Sequence, residues 1–108
     1  MAPTMTLDDL KASLADATPP ASLSTEARAL WHDFRGDWEA AHRLVQDLET
    51  RDAAWVHAYL HRKEGDADNA RYWYRRAGQP VFTGTLEAEG DHIASALIEG
   101  DGAAADVD

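Results

Sequence analysis

An all-α protein is predicted by three features of the sequence. Apolar residues recur at i, i+3, i+4 and i+7 in several segments, and no segment alternates apolar and polar residues as a half-buried strand would. Gly-Asp pairs at 36–37 and 65–66 separate such segments, each glycine suited to end one helix and each aspartate to cap the next. The chain has no Cys, so neither a disulfide framework nor a thiolate metal site supports the fold. Together these describe antiparallel helical hairpins, about five helices in all, with stability resting on apolar packing.

The elements follow in order. Residues 1–5 read as a flexible start. Thr6 is placed to cap a short helix over 7–15, with Asp8 and Asp9 in its first turn, where the helix dipole favours acids. Leu7, Leu10 and Leu14 share one face, and Pro19 and Pro20 end the segment. Ser24 is the cap for a helix over 25–35, whose Ala27, Leu30, Trp31 and Phe34 form a clean apolar stripe. Asp37 caps a helix over 38–48 with Trp38, Ala41, Val45 and Leu48 inward. Asp52 is expected to open the next, over 53–64, which is apolar nearly all round, as suits a helix flanked on more than one side. Asp66 caps 67–77, and Gly78 with Pro80 closes it. Val81 and Phe82 are apolar loop residues able to plug a gap. Thr85 caps a last helix over 86–99, burying Leu86, Ile93, Leu97 and Ile98. One domain over 6–99 results, with hairpins at 24–49 and 52–78. The Gly, Ala and acid composition of 100–108 predicts a disordered acidic tail.

Net charge is −10, and no Lys or Arg follows Arg76. A field of that sign repels nucleic acid and anionic membranes. No apolar run approaches the roughly 18 residues that a membrane span needs. The first ten residues lack the basic-then-apolar order of a signal peptide, so a cytoplasmic location is expected.

The two hairpins overlay when the sequence is shifted by 29 positions: Ala29 meets Ala58, His32 meets His61, Gly36 meets Gly65, Asp37 meets Asp66 and Ala41 meets Ala70. Small Ala pairs let two helix backbones approach, and recurrence at a fixed period marks repeat architectures. On Ala58, Gly65, Asp66, Ala70, Tyr74 and Ala77 the chain resembles tetratricopeptide repeats, and Trp73-Tyr74-Arg75-Arg76-Ala77-Gly78 resembles the end of the related Sel-like repeats. The likeness covers 24–80. It departs in period, 29 against about 34 residues, and Trp55 falls one place later than the usual aromatic. The block 55–80 also resembles a set of small uncharacterised bacterial and fungal proteins. Two hairpins are fewer than the three or so units a repeat array needs, so the first and last helices are expected to cap the stack, or an open end to form a homodimer.

The resemblance implies a protein-interaction module. In such folds the first helix of each pair lines the concave surface, which would place Trp55, Tyr59, Arg62 and Lys63 on it, with Arg75 and Arg76 as further basic positions. An aromatic and basic groove suits an acidic or carboxylate-bearing segment of a protein or peptide partner. The plainer account is that these cations pair with the chain's own acids. A second class of function rests on His57, His61 and Glu64, spaced i, i+4 and i+7 on one helix face. Two imidazoles one turn apart with a carboxylate can hold a metal or serve a small His-dependent enzyme, with His32 a further candidate. The plainer account there is a hydrogen-bonded histidine between helices. No cofactor is implied, and no nucleophile motif or glycine-rich phosphate loop is present.

Overall fold

The computed structural model describes residues 5–103. Residues 1–4 and 104–108, most of the flexible start and about half of the acidic tail expected from the sequence, lie outside the described residues. Six α-helices are described: α1 (Leu7–Ala12), continued by a 3-10 turn (Ser13–Ala15), α2 (Thr25–Phe34), α3 (Trp38–Val45), α4 (Arg51–Lys63), α5 (Ala67–Ala77) and α6 (Leu86–Ala103). No strand occurs among the described residues. None of these helices is long and apolar enough to cross a membrane.

Helices α2 and α3 form one hairpin and α4 and α5 the other, and their turns are built alike. Gly36 and Gly65 adopt left-handed backbone (φ 86° and 92°). At each turn the glycine N–H reaches back three residues and the following aspartate N–H five, Asp37 to the His32 carbonyl and Asp66 to that of His61, both at 2.9 Å. That pair of bonds is the Schellman arrangement, which satisfies the last carbonyls of a helix. The same aspartates then cap the next helix, Asp37 accepting from the Ala40 N–H and Asp66 from that of Asn69. The small pairs Ala29 and Ala41, and Ala58 and Ala70, are buried where the helices of each hairpin meet.

Three boundaries differ from the sequence reading, the first being that α3 stops at Val45, three residues short of its expected end. Helix α4 starts before Asp52, because Thr50 is the cap: its hydroxyl accepts from the Ala53 N–H at 3.0 Å and donates to Glu26 of α2 at 2.6 Å. Helix α6 continues to Ala103, four residues past the expected end. The loop before it splits the expected plug, since Phe82 packs on the core while Val81 is exposed.

Helix α4 is the centre of the molecule. Every residue from Ala53 to His61 is buried, because α2, α3, α5 and α6 all pack against it. Helix α6 crosses α2 and α4, and Gly90 makes that approach possible: a Cβ there would stand 2.9 Å from Phe34 Cε1 and 3.0 Å from the Tyr59 hydroxyl. Helix α1 packs on α6, tied by a Lys11–Asp91 ion pair at 2.7 Å. Helix α6 therefore lies across the first helices of both hairpins, with α1 beside it.

Candidate functional site

The side chains expected to line a concave groove are already occupied. Helix α6 lies across the faces of α2 and α4, and Trp55 and Tyr59 are buried beneath it, Trp55 edge-on to His92 at 5.7 Å. The Arg62 guanidinium donates to Glu89 Oε1 at 2.7 Å and to the Gly84 carbonyl. Glu89 is 0% exposed, and its other oxygen accepts from the Tyr74 hydroxyl. Lys63 donates to both oxygens of buried Asp33, at 3.0 and 3.1 Å, and the Tyr59 hydroxyl donates to Asp33 at 2.7 Å. Two carboxylates thus enter the interior, each held by one tyrosine and one cation. Burial, and then the acceptor carboxylate, raises the pKa of Tyr59 and Tyr74 well above the ordinary phenol range. No buried side-chain polar atom among the described residues lacks a partner. The cleft left over this region, about 360 Å³ between Lys11, Phe34, Lys63 and Asp91, has both its cations paired within the chain, Lys11 with Asp91 and Lys63 with Asp33.

Arg75 and Arg76 are placed differently. They stand on the outer face of α5 with Arg71 and Tyr72, all exposed, Tyr72 to 44%. The Arg76 guanidinium sits 5.8 Å over the Tyr72 ring and 5.4 Å over that of Trp73, and it donates to the Tyr72 hydroxyl at 3.0 Å. Arg71 pairs only with exposed Asp68 on its own helix.

The histidines converge, though not in the set the sequence singles out. His57 and His61, one turn apart on α4, meet His42 from α3, and each offers a ring nitrogen within 4.8 Å of the other two. The Nε2 atoms of His42 and His57 are 3.0 Å apart. Glu64 does not join the three imidazoles. It bonds His61 Nδ1 at 2.6 Å from behind. Asp66, also within reach of His61 and Glu64, is committed as the α5 cap. His32 lies apart, half-buried and edge-on to Trp31 at 5.0 Å. Trp38 stacks on His42 at 4.9 Å and Trp73 on His57 at 3.9 Å, so the cluster is walled by indoles. Burial, followed by the neighbouring His61 and His42, pulls the pKa of His57 down to about 4. Burial and His61 lower that of His42 as well, against an opposing pull from Glu64. These two imidazoles are therefore neutral at pH 7, one Nε2 donating to the lone pair of the other.

His42 was missed because the argument from spacing compares residues within one helix, whereas His42 comes from the other hairpin. The repeat register also misleads, since it matches His61 to His32. A usable signal was Trp38 and His42 at i, i+4 on the second helix of the first hairpin, which stacks the two rings.

No family model matches the chain, and no curated protein or solved structure matches it either.

Proposed function

We propose that the chain is a tetratricopeptide-like helical-hairpin module that binds an acidic segment of a protein partner on the outer face of α5. The observation that carries this reading is the exposure, on one face of one helix, of Arg71, Tyr72, Arg75 and Arg76 in a chain of net charge −10. Arg62 and Lys63 are engaged by Glu89 and Asp33, whereas Arg75 and Arg76 stand exposed side by side on α5, next to Tyr72. Arginine beside Tyr and Trp is the composition of interface hot spots. A guanidinium takes a carboxylate through two parallel hydrogen bonds, which a point charge does not. Screening over about 8 Å at physiological salt keeps the acids elsewhere on the molecule from cancelling this local field.

The test is a titration of a Glu-rich peptide against the protein and its R75E/R76E variant. Both positions are exposed, so the variant keeps its fold. Binding to the parent, weakened by raised salt and lost on charge reversal, is the expected result. An R75E/R76E protein that binds as the parent does, or a parent that binds no acidic segment, would remove the proposal.

A further inference from the structure

We infer that His42, His57 and His61 form a binding site for a transition-metal ion of the Zn²⁺ class, one that bridges the two hairpins. The reading is independent of the α5 face.

The ligand set comes from two elements that the fold brings together. On α4, His57 and His61 are four residues apart and so project from one face. The neighbouring α3 supplies His42, completing three nitrogens within 4.8 Å of one another. An ion held about 2.0–2.1 Å from each nitrogen in tetrahedral geometry spaces its ligands by about 3.4 Å. The His42–His57 separation of 3.0 Å therefore opens slightly on binding, while His61 draws inward. The His57 and His61 rings stack with centroids 4.7 Å apart, so one of them turns about its side-chain torsions to aim its nitrogen at the ion.

Three further observations fit a metal better than a purely structural cluster. His61 donates through Nδ1 to Glu64, which leaves Nε2 as its lone-pair nitrogen. A carboxylate behind a ligating imidazole is the usual device for setting its tautomer and raising its basicity. Only one proton fits between the facing Nε2 atoms of His42 and His57, so a hydrogen bond uses one lone pair where a cation uses both. The rings are also held by stacking on Trp38 and Trp73, and Trp38 is itself anchored by its indole N–H on the Leu60 carbonyl at 2.8 Å. Half-buried His42 borders a surface hollow of about 190 Å³ lined by Trp38, Glu39 and Arg43, so one of the three ligands reaches the surface. Neutral imidazoles select Zn²⁺, Ni²⁺, Cu²⁺ or Co²⁺ over Mg²⁺ and Ca²⁺, which prefer oxygen. An ion bound only by the folded chain also stabilises it, and because α3 and α4 belong to different hairpins it ties one to the other.

The experiment is calorimetric titration of the untagged, metal-stripped protein with ZnCl₂, with CoCl₂ as a visible-absorption probe of tetrahedral nitrogen coordination and thermal unfolding followed in parallel. The expected result is one ion per chain, a tetrahedral Co²⁺ spectrum and a raised unfolding midpoint. H42N is expected to abolish the spectrum, and E64Q to weaken binding by about 10- to 100-fold. Both substitutions lie at the accessible side of the cluster, and unchanged circular dichroism would verify their folding. H57A, in the core, is not needed. Absence of stoichiometric Zn²⁺ binding by the parent at millimolar metal, or binding by folded H42N equal to that of the parent, would overturn the inference.

Discussion

Glu89 shows how one residue can carry a large share of the energetics. It is fully buried on a helix that otherwise presents Ile93 and Leu97 to the core, and its charge is held by the Arg62 guanidinium and the Tyr74 hydroxyl. A buried pair of this kind adds little net stability over an apolar pair, but removing one partner leaves an uncompensated charge. R62M is therefore expected to destabilise the protein by about 3 kcal/mol in urea unfolding. R62M/E89Q should recover more than half of that loss, because a neutral amide still accepts from Tyr74 and strands no charge. The sequence carried a partial sign of this arrangement: residues 86, 89, 93 and 97 follow helical spacing, and a carboxylate on that stripe calls for a partner. Which cation supplies it depends on a contact 27 residues distant, and no local pattern encodes that. Asp33 was less legible still, lying in the last turn of α2 like an ordinary solvated acid while pairing with Lys63, 30 residues away.

At the scale of the elements, the repeated turn was the most legible feature. Glycine followed by aspartate is a local signal, and its two jobs, a left-handed residue and a cap, need only neighbouring atoms. Gly36 and Gly65 duly share φ, bonding pattern and position, and a Cβ at either would meet nothing within 4 Å. The cost of G36A or G65A is then backbone strain alone, about 1–2 kcal/mol each. Since the turns belong to separate hairpins and share no partner, the double variant should lose the sum of the two by chemical denaturation. A marked departure from additivity would mean that the hairpins are coupled through their turns. The start of α4 was less legible, because Thr50 and Asp52 both have capping side chains, and it is Thr50 that accepts from the Ala53 N–H while its hydroxyl donates to Glu26 of the preceding hairpin. The packing of α6 was legible in its apolar stripe but not in its destination. Gly90 is the position at which α6 presses on Phe34 and Tyr59.

At the scale of the whole molecule, two tyrosine–carboxylate pairs tie the parts together, Tyr59–Asp33 between the hairpins and Tyr74–Glu89 between α5 and α6, and they set the response to alkali. Tyr59 and Tyr74 titrate well above their ordinary 10.0 in the folded chain. A folded pKa raised above the unfolded one gives stability that is complete below pH 10 and is lost as pH climbs beyond it, because only the unfolded chain releases the protons there. Phenolate absorbance should therefore fall short of three tyrosines until the protein unfolds, then rise with the loss of helical circular dichroism in one step. Ionisation of all three phenols ahead of unfolding would contradict the buried bonds described here. Fold class and hairpin order were legible in periodicity and turns, whereas the histidine cluster and the covering of the groove were not, since both arise where helices distant in sequence touch.

The placement of α6 also bears on how two copies of the molecule would meet. Helical repeats left bare at one end tend to string together, each copy extending the last. Here the final helix has folded back over the stack rather than extending it, and among the described residues Tyr72 and Val81 are the large apolar side chains left in water. Two copies brought together on the exposed flank of α5 would set guanidinium against guanidinium, a contact that like charge disfavours.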